Sequence, residues 1–141
     1  MVELLQAYQD SPRYISSEEQ IQIHDFIMEH GQVCPVELYR GVPNTSGESY
    51  EIGQEIRLGG NDLFESFTEE LDVALDFARQ VSPAQESNNQ PVVLVLENAF
   101  GLPLYMHTDG NRESEWLIPY GDFTVKKIET EDGVTFVTIC R

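Results

Sequence analysis

Apolar positions recur at helical spacing in three stretches of the chain, and elsewhere they alternate or run without a break. Residues 2–10 (VELLQAYQD) predict a short helix that stops before Pro12. Ser16-Ser17-Glu18-Glu19 predicts the start of a stronger one, with serine caps and acids in its first turn. Its apolar arc takes in Ile21, Ile23, His24, Phe26, Ile27 and Met28, with Gln22, Asp25 and Glu29 opposite, and Gly31 ends it. His24, at the edge of that arc, reads as a packed histidine. A third helix is expected over 69–80. Thr68 would cap it, Glu69 and Glu70 fall in its first turn, and Val73, Ala74, Phe77, Ala78 and Val81 form its buried face.

The remaining segments read as strands. Val36–Val42 is a short one bordered by Pro35 and Pro43, and 53–58 and 62–68 are two more. Pro91–Leu96 is a continuous apolar run, hence a central buried strand. A short strand over 101–106 follows, then a polar turn from His107 to Arg112 and an extended stretch from Glu113 to Pro119. Asp122–Val125 and Gly133–Cys140 alternate as a closing antiparallel hairpin. Helices first, strands afterwards and one helix between make an α+β pattern: two small, antiparallel-rich sheets packed together, with the N-terminal helices at one side. There is no GxGxxG and no P-loop, so a Rossmann-type nucleotide site is excluded. At 141 residues the chain is one domain, 1–141.

Charge narrows the partners. A formal net charge of −17 argues against direct nucleic-acid binding and against anionic membranes, and it favours a basic partner surface. The two cysteines, Cys34 and Cys140, have no zinc spacing and make no disulfide framework, so reduced thiols and a cytoplasmic setting are expected. No signal peptide and no membrane-spanning run is visible. No metal is expected.

Three local patterns carry possible chemistry. Arg40 lies in an apolar strand with Gly41 directly behind it; its charge needs an anionic partner, either a ligand phosphate or carboxylate or a structural ion pair. Ser66 and Thr68 place two hydroxyls on one strand face, suited to orienting a carboxylate or a sugar. Glu113 and Glu115 share a face of an extended stretch, roughly 7 Å apart. That spacing suits divided labour, one carboxylate stabilising a developing cation while the other accepts a proton. The polar turn before them is a natural place for substrate selection, with His107 as a loop residue rather than a base.

In that order these elements resemble the arginine–serine–glutamate group of mono-ADP-ribosyltransferases, which includes clostridial binary toxins, vertebrate ecto-transferases and phage enzymes. LYRGV at 38–42 is similar to the family's arginine strand, FESFTEELDVALDFA at 64–78 to its Ser-Thr-Ser strand and following helix, and ESEWLIPYGDFTV at 113–125 to its Glu-x-Glu strand. The resemblance implies NAD as co-substrate, with Arg40 on its phosphates and ribose and the Gly41 backbone on the nicotinamide carboxamide. Ser66 would position Glu115, the catalytic glutamate, and Thr68 stands at the motif's third position. Glu113 matches the residue that goes with arginine as acceptor. Phe67 is bulkier than the family's usual middle residue. The aromatic that stacks on nicotinamide has no clear match, and Arg79 is the one candidate for a second phosphate arginine. The implied activity is transfer of ADP-ribose to a target macromolecule, a protein arginine, with NAD glycohydrolysis as a side reaction. The size resembles a phage-encoded or injected effector acting in a recipient cytoplasm. The competing reading is a small acidic, non-enzymatic inhibitor of a basic, nucleic-acid-binding surface, which would ignore NAD.

Overall fold

A computed structural model describes residues 1–11, 15–42, 49–59, 62–81, 90–108 and 114–141. The two N-terminal helices, α1 (Val2–Asp10) and α2 (Ser17–His30), form where the pattern predicts. Ser16 and Glu19 close a reciprocal capping box at the start of α2. Gly31 does end this helix, but its φ of −69° is one any residue can adopt. Glycine is required there by crowding, since a Cβ would stand 2.5 Å from the Ile27 carbonyl and 2.6 Å from the Phe100 ring.

Among the described residues nine strands follow or interleave: β1 (Gln32–Val33), β2 (Leu38–Val42), β3 (Glu55–Leu58), β4 (Phe64–Thr68), β5 (Val92–Leu96), β6 (Phe100–Pro103), β7 (Glu115–Pro119), β8 (Gly121–Glu131) and β9 (Val134–Cys140). Helix α3 (Leu71–Val81) lies between β4 and β5. The strands are hydrogen-bonded in the order β1-β6-β7-β4-β2-β5-β9-β8-β3. All pairs are antiparallel except β5 with β9. Two separate sheets were expected. One order joins them instead, but β2 and β4 meet at a single rung, Tyr39 opposite Thr68. The stretch expected as a strand to residue 106 ends at Pro103, and Leu104–Met106 forms a 3-10 turn. At the other end of the sheet, β8 and β9 are joined by Asp132 and Gly133, both at positive φ, the requirement of a tight hairpin turn.

Period-2 alternation stacks the two halves of the sheet. On β7, Trp116 and Ile118 face one core and Leu117 another; on β5, Leu94 and Leu96 face the first core while Val93 and Val95 face a third. The first core joins the inner faces of both halves, with Phe67 and Trp116 against Leu38, Phe123, Val137 and Ile139. Leu5, Ile23 and Ile27 of the N-terminal helices cover the outer face of the β6-β7-β4 half. Ala74 and Ala78 of α3 cover the outer face of β5. Sheet halves inside and helices on either side make the mixed α/β architecture.

The α2 arc is narrower than its sequence suggests: Ile23 and Ile27 are buried, whereas Ile21 and Met28 are exposed. His24 packs against the Tyr120 ring at 5.3 Å. Cys34 and Cys140 are free thiols. Among the described residues, no helix is long and apolar enough to cross a membrane.

Candidate active site

The single rung between β2 and β4 decides where the site lies. Continued by one step, the Tyr39–Thr68 register would set Gly41 opposite Ser66. The strands part instead, and the Ser66 carbonyl accepts a hydrogen bond of 2.7 Å from Arg40 Nη1. A side chain takes the place of the missing backbone donor. On the other edge of β4 the ladder with β7 is complete, with Thr68 opposite Glu115 and Ser66 opposite Leu117. Ser66 and Glu115 are thus diagonal neighbours on one face, within reach of each other's side chains. Ser66 Oγ donates a 2.6 Å hydrogen bond to Glu115 Oε2.

Where β2 and β4 part, a cavity of about 370 Å³ opens. That volume falls within the usual range of small-molecule sites. Arg40, Gly41, Ser66, Thr68 and Glu115 all line it, so five of the six residues singled out in the sequence come together. The sixth, Glu113, lies outside the described residues, as does most of the polar turn before it. His107, the first residue of that turn, caps the C-terminal end of the 3-10 helix and sets its ring edge-on to Phe26.

Helix α3 builds the opposite wall. Ala74 and Ala78 are buried as expected, but Phe77 is 47% exposed and faces the cavity with Val73, Asp76 and Gln80. Its periodicity marks an apolar face correctly; part of that face meets a cleft rather than protein. Arg79 is exposed and is not part of the wall, and the Val81 side chain lies outside the described residues. The helix can come this close to β2 because residue 41 is glycine. A Cβ there would collide with the Ala74 carbonyl and stand 2.6 Å from the Ala78 nitrogen.

Thr68 accepts from the Glu70 N–H at 3.0 Å, the cap its position predicts, although α3 itself begins only at Leu71. Glu69 therefore precedes the helix, and it clamps β7 instead of filling a first turn. Its N–H donates to the Ser114 carbonyl at 3.2 Å, and its carboxylate accepts from Trp116 Nε1 at 2.8 Å. Glu115 stands between those two attachment points. Ser114 itself has a φ of 42°, a left-handed conformation that is uncommon outside glycine. Glu69 also accepts from the Tyr105 phenol, whose pKa is pushed up to about 12, first by burial and then by this bond.

No sequence signal places α1 near the cavity residues, yet it brings Tyr8 into the field of Glu115, Arg40 and Glu65. Burial, reinforced by the Glu115 charge, drives the Tyr8 pKa far above its ordinary value, so the phenol stays protonated. Its ring packs edge-on against Phe64 at 5.2 Å. A helical tyrosine in a polar sequence leaves no local signal of such a placement.

Of its two anticipated partners, Arg40 makes the protein one. Its Nη2 pairs with Glu65 Oε2 at 3.0 Å, the structural ion pair, while the guanidinium still lines the cavity. No group of three or more histidine, cysteine or acidic side chains among the described residues is arranged to hold a metal.

This architecture is the fold of the ADP-ribosyltransferases. The chain superimposes over 99% of its length on 71% of Vis toxin, an ADP-ribosyltransferase from Vibrio splendidus, with a TM-score of 0.72 and 17% identity. Vis in complex with agmatine matches with a TM-score of 0.63 at the same identity, over 99% of this chain and 67% of that one. C3stau2 from S. aureus, solved with NAD, matches with a TM-score of 0.61 and 14% identity, over 99% of this chain and 84% of that chain. No protein-family model matches the chain, and no curated protein matches it in sequence.

Proposed function

We propose that this chain, as a single catalytic domain, transfers ADP-ribose from NAD to the guanidinium of a protein arginine. The observation that carries this reading is Glu115 held by the Ser66 hydroxyl at 2.6 Å, in a cavity shared with Arg40, within a fold of this class.

In this reading Arg40 meets the pyrophosphate and the Gly41 backbone meets the carboxamide. Phe77, the exposed aromatic of the cavity wall, stacks on nicotinamide, and Thr68 lines the same cavity. The bond between ribose C1′ and the nicotinamide nitrogen breaks, and nicotinamide leaves with the electron pair. The ribose becomes oxocarbenium-like, and a fixed carboxylate stabilises that charge more than it does the ground state. Glu115 has this role. The acceptor guanidinium attacks C1′ and loses a proton to Glu113, which stands two residues before Glu115 in sequence. Water in the acceptor's place gives ADP-ribose and NAD glycohydrolysis. Agmatine, a small guanidinium compound bound by Vis, supports a guanidinium as acceptor.

The test is incubation with labelled NAD and either a cell lysate or agmatine, beside Glu115→Gln and Glu113→Gln. Glu115→Gln should abolish both nicotinamide release and labelling. Glu113→Gln should lose labelling and keep most of the release. Wild-type protein that neither releases nicotinamide nor transfers label would sink the proposal, and equal loss of both activities in Glu113→Gln would sink arginine as the acceptor.

A further inference from the structure

Among the described residues Arg40 is the one cation in the cavity wall, and how it is held bears on what it can hold. Its two terminal nitrogens are tied to consecutive residues of β4, Nη2 to the Glu65 carboxylate at 3.0 Å and Nη1 to the Ser66 carbonyl at 2.7 Å. Glu65 is itself anchored: its other oxygen, Oε1, accepts from the Gly59 N–H at 3.2 Å. Among the described residues the cavity wall includes Arg40 and not Glu65. The pair is mostly buried, with the two side chains 31% and 24% exposed. A guanidinium carries five N–H donors in a plane, so two can be fixed to the protein while others face the cavity.

We propose that Glu65 is a positioning residue for Arg40 and thereby sets the affinity for the dinucleotide; this rests on reading the cavity as the NAD site. Free arginine side chains give up rotamer freedom when they close on a phosphate. Here that ordering is already made by a carboxylate tied to the backbone at Gly59. The chemistry of Glu65 is specific. Both of its partners are donors, so both of its oxygens must accept. A glutamine would satisfy one and present an N–H to the other. The arrangement also joins the two reacting ends: Ser66 holds Arg40 through its carbonyl and Glu115 through its hydroxyl.

The experiment is a double-mutant cycle on NAD glycohydrolysis with Glu65→Gln, Glu65→Ala, Arg40→Ala and the Arg40→Ala/Glu65→Ala double variant, each checked for folding by thermal melting. Loss of one charge-assisted hydrogen bond predicts a KM for NAD raised roughly tenfold to a hundredfold in both Glu65 variants, with kcat falling much less. In the Arg40→Ala background, Glu65→Ala should raise KM no further. A merely structural role would lower kcat and thermal stability alike and would persist without Arg40, and that result overturns the proposal. A KM that falls in Glu65→Gln also overturns it, because Glu65 would then compete with phosphate for Arg40. Wild-type protein that cleaves no NAD removes the underlying function instead, which separates the two failures. If Glu65→Gln proves unstable, the cycle runs on Glu65→Ala with equilibrium binding of ADP-ribose as its readout.

Discussion

Ser66 touches Glu115 across the β4–β7 ladder on a diagonal, through a hydrogen bond of 2.6 Å from hydroxyl to carboxylate. Ser66→Ala leaves the register intact and removes this hold on Glu115. A misplacement of about 1 Å at a reacting centre costs on the order of a hundredfold in rate. Nicotinamide release should fall by about that factor in Ser66→Ala, and more in Glu115→Gln, with the melting temperature of each near wild type.

Glu69 holds the strand that carries Glu115 through the indole of Trp116, which is 2% exposed. Glu69→Ala would leave that N–H buried without its acceptor, at a cost of about 1–3 kcal/mol. Glu69→Gln keeps an acceptor oxygen and should recover most of it. Urea titration of the three proteins measures the difference.

Gly41→Ala should destabilise the protein by about 1–3 kcal/mol, because its methyl group meets the backbone of α3 rather than a side chain that can move. Relief requires α3 to shift away from β2, and the cavity wall shifts with it. Loss of stability and a raised KM for NAD should therefore appear together.

Alkaline pH should weaken the fold through Tyr105. The folded phenol keeps its proton to about 12, whereas the unfolded one ionises near 10. The unfolded state thus binds fewer protons in that window, and stability is complete below pH 10 and is lost as pH rises toward 12. Tyr8, shifted the same way, adds to the effect. Tyr105→Phe should flatten the fall in urea midpoint above pH 10.

The elements and the convergence of Arg40, Gly41, Ser66, Thr68 and Glu115 were legible because each rests on local pattern and on order along the chain. Partnerships between distant residues were not. Nothing near Arg40 singles out Glu65 among 25 acidic residues, and nothing near Tyr8 shows that α1 folds back over Glu115. Phe77 illustrates a second limit. Helical period identifies an apolar face, and only the packing of neighbouring elements shows whether that face meets a core or a cavity. The resemblance set the Gly41 backbone against a ligand, while the structure adds a demand from behind the strand, the closeness of α3.

The lone Tyr39–Thr68 rung has a consequence for cooperativity. Backbone pairing binds β5, β8 and β9 tightly to one another and β4, β6 and β7 to one another, but barely crosses between the groups. The halves share an apolar core, which resists separation, yet local opening at their boundary breaks few hydrogen bonds. A dinucleotide gripped by Arg40 on one side and by the Ser66–Glu115 pair on the other would span that boundary as a crosslink. Binding would then merge two partly independent folding units into one, and the occupied protein would unfold more sharply as well as at higher temperature.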